Sequence, residues 1–194
     1  MAIYIIPLGD IDSLVLGEIK NGINFAFGLP VEIMPITTNP TYAYEPRRKQ
    51  YYSSKILENL MNILGTSAQA HKCISNPPQA KSEQDKIIGV TDVDLATPVL
   101  TFVFGEAQLN GNAAVISLTR LKQEFYQLLP NQKLLLNRAI KEAIHELGHT
   151  LGLLHCDDVE CVMHFSSNIT GIDQKYLNFC TDCLVSLRRI TERI

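Results

Sequence analysis

The sequence predicts an α/β protein built on a mostly parallel sheet that carries at least one antiparallel strand. Three observations predict it. Early in the chain, short apolar, β-branched runs alternate with stretches of helical periodicity. Later, Asn110-Gly111-Asn112 separates two strand-like runs in the manner of a hairpin turn. A long amphipathic stretch then opens at Pro130 and runs to about Gly152, with Leu136, Ile140, Ala143, Ile144, Leu147 and Leu151 on one face.

The elements follow in order. Residues 2–9, AIYIIPLG, read as a buried strand that Pro7 and Gly9 stop. Leu14, Leu16, Ile19, Ile23 and Phe27 then recur at roughly helical spacing, and Ser13 suits the N-cap. Residues 31–36, VEIMPI, form a second strand. Residues 37–54 are polar, tyrosine-rich and broken by two prolines, which predicts a loop. A helix from about Ser54 to Leu64 carries Ile56, Leu57, Leu60, Met61 and Leu64, and residues 75–85 form another loop. Residues 86–95 and 98–109 are strands, and residues 113–121 complete the hairpin. There is no internal repeat and no low-complexity segment.

The length of 194 residues suits one domain, and 46% hydrophobic against 19% charged residues gives material for a sizeable core. A net charge of −3 and a pI of about 5.9 argue against a protein built to neutralise phosphates, so no nucleic-acid partner is expected. No apolar run is long enough to span a bilayer, and the N-terminus lacks the basic start of a secretory signal. The expectation is a cytoplasmic protein with no membrane partner.

The densest chemistry lies in HELGHTLGLLHC, residues 145–156. His145 and His149 are four apart on a helix, so both imidazoles leave one face about 6 Å apart along the axis. They can converge on one zinc. Glu146 falls on the adjacent face, where a carboxylate can take a proton from zinc-bound water. Gly152 suits the left-handed cap that lets the chain turn back, and His155 follows as a third nitrogen ligand. Three protein ligands with an open position are the pattern of a catalytic zinc. The competing reading is a helix with surface histidines and no metal; His71, standing alone, receives it.

Cys156, Cys161, Cys180 and Cys183 form C-x4-C-x18-C-x2-C, two close pairs joined by a longer loop, as a four-thiolate structural zinc requires. The alternatives are two disulfides or four buried thiols. Cys73 stands apart as a small core or surface residue. The expected cofactors are therefore two zinc ions per chain, one catalytic and one structural.

The zinc motif, then Cys161-Val162-Met163, then CTDC at residues 180–183 closely resemble the archaemetzincins, a metzincin-type family of metallopeptidases. The resemblance is specific over residues 145–183 and shows no departure from the family's pattern there. It implies a metzincin-like fold: a twisted, mostly parallel mixed sheet, an active-site helix, and a small zinc-stapled C-terminal subdomain. Residues 1–152 would form the sheet and helix part and residues 153–194 the C-terminal part, within one compact domain. Met163 matches the methionine that sits in a tight turn beneath the catalytic zinc in that family.

The implied activity is peptide-bond hydrolysis, with His145, His149 and His155 as zinc ligands and Glu146 as general base on a peptide or protein substrate. Residues 101–109 are the candidate strand edge for that substrate. His164 and Tyr176 are candidates for a second oxyanion donor, with a surface role as the competing reading for both. Two rival functions stand beside this one: a zinc-stabilised binding module with an idle hydrolase site, and a zinc hydrolase acting on a non-peptide amide.

Overall fold

The computed structural model describes residues 1–65 and 84–192. His71, Cys73 and most of the expected loop at residues 75–85 lie outside the described residues. The elements run β1 (Ile3–Leu8), α1 (Ser13–Phe27), β2 (Val31–Ile33), β3 (Tyr44–Glu45), β4 (Gln50–Tyr52), α2 (Ser53–Gly65), β5 (Lys86–Thr91) and β6 (Leu95–Ala96). They continue with β7 (Gly105–Ala107), β8 (Ala113–Ser117), α3 (Gln132–Thr150), α4 (Ile169–Gln174) and α5 (Thr181–Thr191). The main sheet has the order β2-β1-β5-β8-β7, parallel except at the hairpin between β7 and β8. The expected mixed, mostly parallel sheet is what forms.

The alternation of strand side chains explains the layers. Ile3 and Ile5 of β1 join Ile88, Val90, Ala114 and Ile116 in a core shared with α1 and α3. Tyr4, Ile6 and Leu8 face the other way, with Ile87, Ala113 and Val115, against Ile56, Leu57 and Leu60 of α2. A third cluster fixes the C-terminal segment: Leu153, Cys161, Val162, Met163 and Leu187 pack on Ile144 of α3 and on Leu151 just after it. Among the described residues no helix is long and apolar enough to cross a membrane.

Several expectations change in detail. The first strand runs through Pro7 to Leu8, because Pro7 still offers its carbonyl, which accepts from the Thr37 backbone and hydroxyl. The cap of α1 is Asp12, whose carboxylate accepts from the Leu14 amide, and Leu14 itself is exposed. Val15 takes the buried position instead. The strand expected over residues 31–36 ends at Ile33. The supposed loop at 37–54 holds β3 and β4, which with β6 make a small second sheet. The strand expected over 98–109 is reduced to β7, with an irregular segment before it. Asn131 caps α3 from its side chain, so Pro130 lies outside the helix.

Candidate active site

Helix α3 carries His145 and His149 one turn apart on the face toward the C-terminal segment. At its end, Gly152 takes a φ of +90°, in the left-handed region, and the chain turns back as the glycine predicts. His155 follows on an exposed turn, its ring stacked on His145 at 5.3 Å. The three candidate ligand nitrogens all lie within 4.8 Å of one another.

The hydrogen bonds decide how these rings face. His145 Nδ1 lies 2.9 Å from the Val162 carbonyl and His149 Nδ1 lies 2.8 Å from the Leu153 carbonyl. A carbonyl only accepts, so both Nδ1 atoms carry the proton. Burial lowers the affinity of all three rings for a second proton, most strongly at His145, where Lys175 adds to the effect. Each Nε2 is then a bare lone pair. The two Nε2 atoms nevertheless stand 3.1 Å apart. Two acceptors at that distance repel unless a cation lies between them. A tetrahedral zinc at ordinary Zn–N lengths sets its nitrogens roughly 3.3 Å apart. The donor set and its spacing fit that ion.

These imidazoles line a cleft of about 410 Å³ with Glu106, Glu142, Glu146 and Lys175. Glu146 is buried, and its carboxyl is held well above the usual carboxylate range by desolvation, with Glu142 and Glu106 adding and Lys175 opposing. It lies against β7: a Cβ built on Gly105 would meet Glu146 Oε1 at 2.8 Å. Met163 is fully buried beneath α3, where a Cβ on Gly148 would meet its sulfur at 2.5 Å.

The four expected thiols also converge, all within 4.8 Å of one another. Cys156 Sγ and Cys180 Sγ are 3.6 Å apart, close to the roughly 3.8 Å between two sulfurs on one tetrahedral zinc. Burial pushes the Cys183 thiol up, while the Cys183 backbone amide pulls Cys180 down. The two clusters are stitched together by backbone: Cys156 N donates to the Met163 carbonyl, and His164 Nδ1 bonds the Cys156 carbonyl.

The profile of peptidase family M54 matches residues 26–189, a span that includes both clusters. The chain belongs to peptidase family M54. It is a zinc metallopeptidase of the archaemetzincin kind that the motif resembles. It is 42% identical to the archaemetzincin of Methanocaldococcus jannaschii over 97% of this chain and 93% of that one. It superposes on the archaemetzincin of Methanopyrus kandleri with a TM-score of 0.79 at 33% identity, covering 100% of this chain and 96% of that chain. A zinc-dependent peptidase from Methanocorpusculum labreanum gives 0.85 at 29% identity, covering 96% of this chain and 100% of that one.

For this M54 chain, sequence reasoning missed the charged floor of the cleft. Lys175, only 1% exposed, bonds Glu142 Oε1 at 3.3 Å and the His164 carbonyl at 3.2 Å. Glu142 had a signal, since it lies three residues before His145 on the same helix face. Lys175 had none, being one polar residue in a weakly patterned stretch. His164 and Tyr176, the oxyanion candidates, do not line the cleft.

Proposed function

We propose that the chain hydrolyses peptide bonds with Glu146 as general base, and that His145, His149 and His155 hold the catalytic zinc. Cys156, Cys161, Cys180 and Cys183 hold a second, structural zinc, giving two ions per loaded chain. In this reading residues 153–194 are a C-terminal subdomain that the thiolate zinc staples onto α3. The observation that carries the mechanism is the position of Glu146: it shares the cleft with three convergent imidazoles and touches the edge strand β7 at Gly105.

A peptide paired with the outer edge of β7 would lay its backbone beside that carboxylate. The candidate substrate edge thereby narrows from residues 101–109 to Gly105–Ala107. Zinc supplies Lewis-acid polarisation of the scissile carbonyl and lowers the pKa of water towards about 7. Glu146 accepts the proton of the attacking water and delivers it to the leaving amine. The raised proton affinity of the buried carboxyl suits both transfers, since it strengthens the base and then leaves a usable acid. His145 and His149 are kept in the right tautomer by the Val162 and Leu153 carbonyls.

Glu146→Ala tests the assignment. It should lower peptide cleavage by about 10²–10⁴-fold, the usual range for general acid–base assistance, while metal analysis still finds both zinc ions. Turnover at the wild-type rate would end the proposed mechanism.

A further inference from the structure

The segment before β7 forms one wall of the cleft and presents apolar side chains to water. Thr97, Leu100, Thr101 and Phe102 line the cleft. Val99 is 90% exposed and Leu100 50% exposed. This wall is tightly held. Arg48 donates to the Thr97 carbonyl at 2.7 Å, to Leu100 at 2.7 Å and to Thr101 at 2.8 Å. Gln50 adds a bond to the Thr101 carbonyl at 3.0 Å and is itself fixed by Asp94 at 2.9 Å. The Leu100 amide donates to Thr97 Oγ1.

The apolar surface continues outward from this wall. Asp94 also grips Arg120, at 2.6 and 2.9 Å. The Arg120 guanidinium lies 4.2 Å from the Phe102 ring centre and 4.6 Å from that of Phe125. One flat cation thus joins a cleft-lining ring to a ring 42% exposed. Leu129, a few residues on, is 86% exposed. Phe102 is partly buried against the core, but Val99, Leu100 and Leu129 contribute little to folding, since they are not buried. A backbone clamped by arginine and glutamine so as to hold valine and leucine in water is arranged for a ligand.

Resting on the peptidase reading above, we propose that this clamped wall and the Phe102–Arg120–Phe125 stack bind the flanks of an extended apolar polypeptide. The substrate class is then unfolded, apolar chain segments longer than the cleft. The occupant follows from continuity: the surface begins at cleft-lining residues just before β7 and passes through Arg120 to Phe125, beyond the cleft lining. A strand lying on β7 and leaving past Phe104 reaches Phe102 next. An apolar side chain seated there gains affinity without ordering the protein, because the wall is already ordered.

The test uses three fluorogenic peptides with one central sequence: a short one, one with leucine and valine flanks, and one with serine flanks. The zinc-loaded enzyme should cleave the apolar-flanked peptide with a kcat/KM about tenfold above the serine-flanked one, mainly through KM, as burial of one large apolar side chain implies. Val99→Ser, at a position too exposed to affect folding, and Phe125→Ser should each shrink that ratio. Equal kcat/KM for the two long peptides, or an unchanged ratio in both variants, overturns the proposal. So does sedimentation that shows a dimer dissociated by Val99→Ser, since the face would then belong to a second copy. Fluorescence anisotropy with the Glu146→Ala protein separates the two readings. A preference for apolar flanks in binding with no cleavage by wild type would sink the peptidase reading and leave the apolar wall standing. Cleavage without the preference would do the reverse.

Discussion

His155 and Cys156 are neighbours in the chain, yet the clusters they join are assembled in opposite ways. The histidine cluster takes two of its three members from one long helix, seated on the main sheet and anchored through backbone carbonyls at Leu153 and Val162. The cysteine cluster takes its members from two turns and the first residues of α5, with three of the four only half-buried. One site is shaped by the fold and then offered to an ion. The other is gathered from turns and a helix start that pack on Leu153, Val162 and Leu187. Under the proposed zinc assignment, the difference predicts which site is dispensable for folding: a three-ligand site with an open position would lose its metal readily, whereas a closed thiolate site would contribute folding energy outright.

The largest effect should come from attacking the weaker scaffold. Cys183→Ser is expected to empty the thiolate site. It should also cost the histidine site about 10–100-fold in zinc affinity, the range seen when groups behind metal ligands are lost. The route is the backbone: Cys156 N to the Met163 carbonyl, and Val162 N to the Asn178 carbonyl. Isothermal titration with zinc after chelation reads both affinities. Normal histidine-site affinity in an otherwise emptied Cys183→Ser protein would show the two clusters to be independent. In the wild type, mild chelation should remove the histidine-site ion first; loss of the thiolate ion first reverses the comparison.

The next effect sharpens the boundary between the two regions. A polar seam bolts the stretch from Ile172 to Lys175 onto α3: Arg138 to Asp173 at 2.7 Å through both carboxylate oxygens, Lys141 to the Ile172 carbonyl, and Lys175 to Glu142. Both side chains of the last pair are almost fully buried. Lys175→Met should therefore cost about 3–5 kcal/mol of stability, because it strands a buried carboxylate, while adding Glu142→Leu should recover most of it. Thermal and urea unfolding of the two variants measure this. Lys175 also opposes the raised pKa of Glu146. Removing the cation favours the protonated carboxyl, so the acid limb of the pH–rate profile should move to higher pH. A Lys175→Met enzyme with wild-type stability would show that the seam is not what holds the C-terminal segment.

That seam also marks where the sequence stopped being legible. The sheet, the hairpin, the long helix and both ligand clusters follow from short-range patterns: β-branched runs, an Asn-Gly turn, and histidines and cysteines at ligand spacing. Arg138, Lys141 and Glu142 follow a different rule. They occupy the polar stripe of α3, which periodicity assigns to solvent, and they are buried because α4 and Lys175 arrive from more than thirty residues away. Residues 37–54 escaped for a similar reason. Their strands are two or three residues long: β3 pairs only with β4, and β4 is tied into a sheet by β6, some forty residues on. A contact that depends on distant partners leaves no local period to read.

The smallest prediction opposes a helix rule to a packing rule at the point where the two regions meet. Gly148 lies within α3 between His145 and His149, and an alanine there would ordinarily stabilise the helix by about 1 kcal/mol. Here the new Cβ would stand 2.5 Å from Met163 Sδ and 3.0 Å from its Cε. Methionine is flexible, but Met163 is fully buried among Leu153, Val162 and Leu187, and in a close-packed interior it moves only by displacing such neighbours. Overpacking of that kind costs about 1–3 kcal/mol, so the net effect should be a loss of roughly 1 kcal/mol instead of a gain. The displaced turn also carries the Val162 carbonyl that orients His145, so zinc affinity at the histidine site should fall with it while the thiolate site keeps its ion. Pairing Gly148→Ala with Met163→Ala removes the collision and should return the helix-propensity gain, at the cost of the cavity the methionine leaves. If Gly148→Ala alone raises the unfolding midpoint and leaves zinc affinity intact, the methionine does not buttress the helix, and the C-terminal segment touches the histidine site only through its backbone.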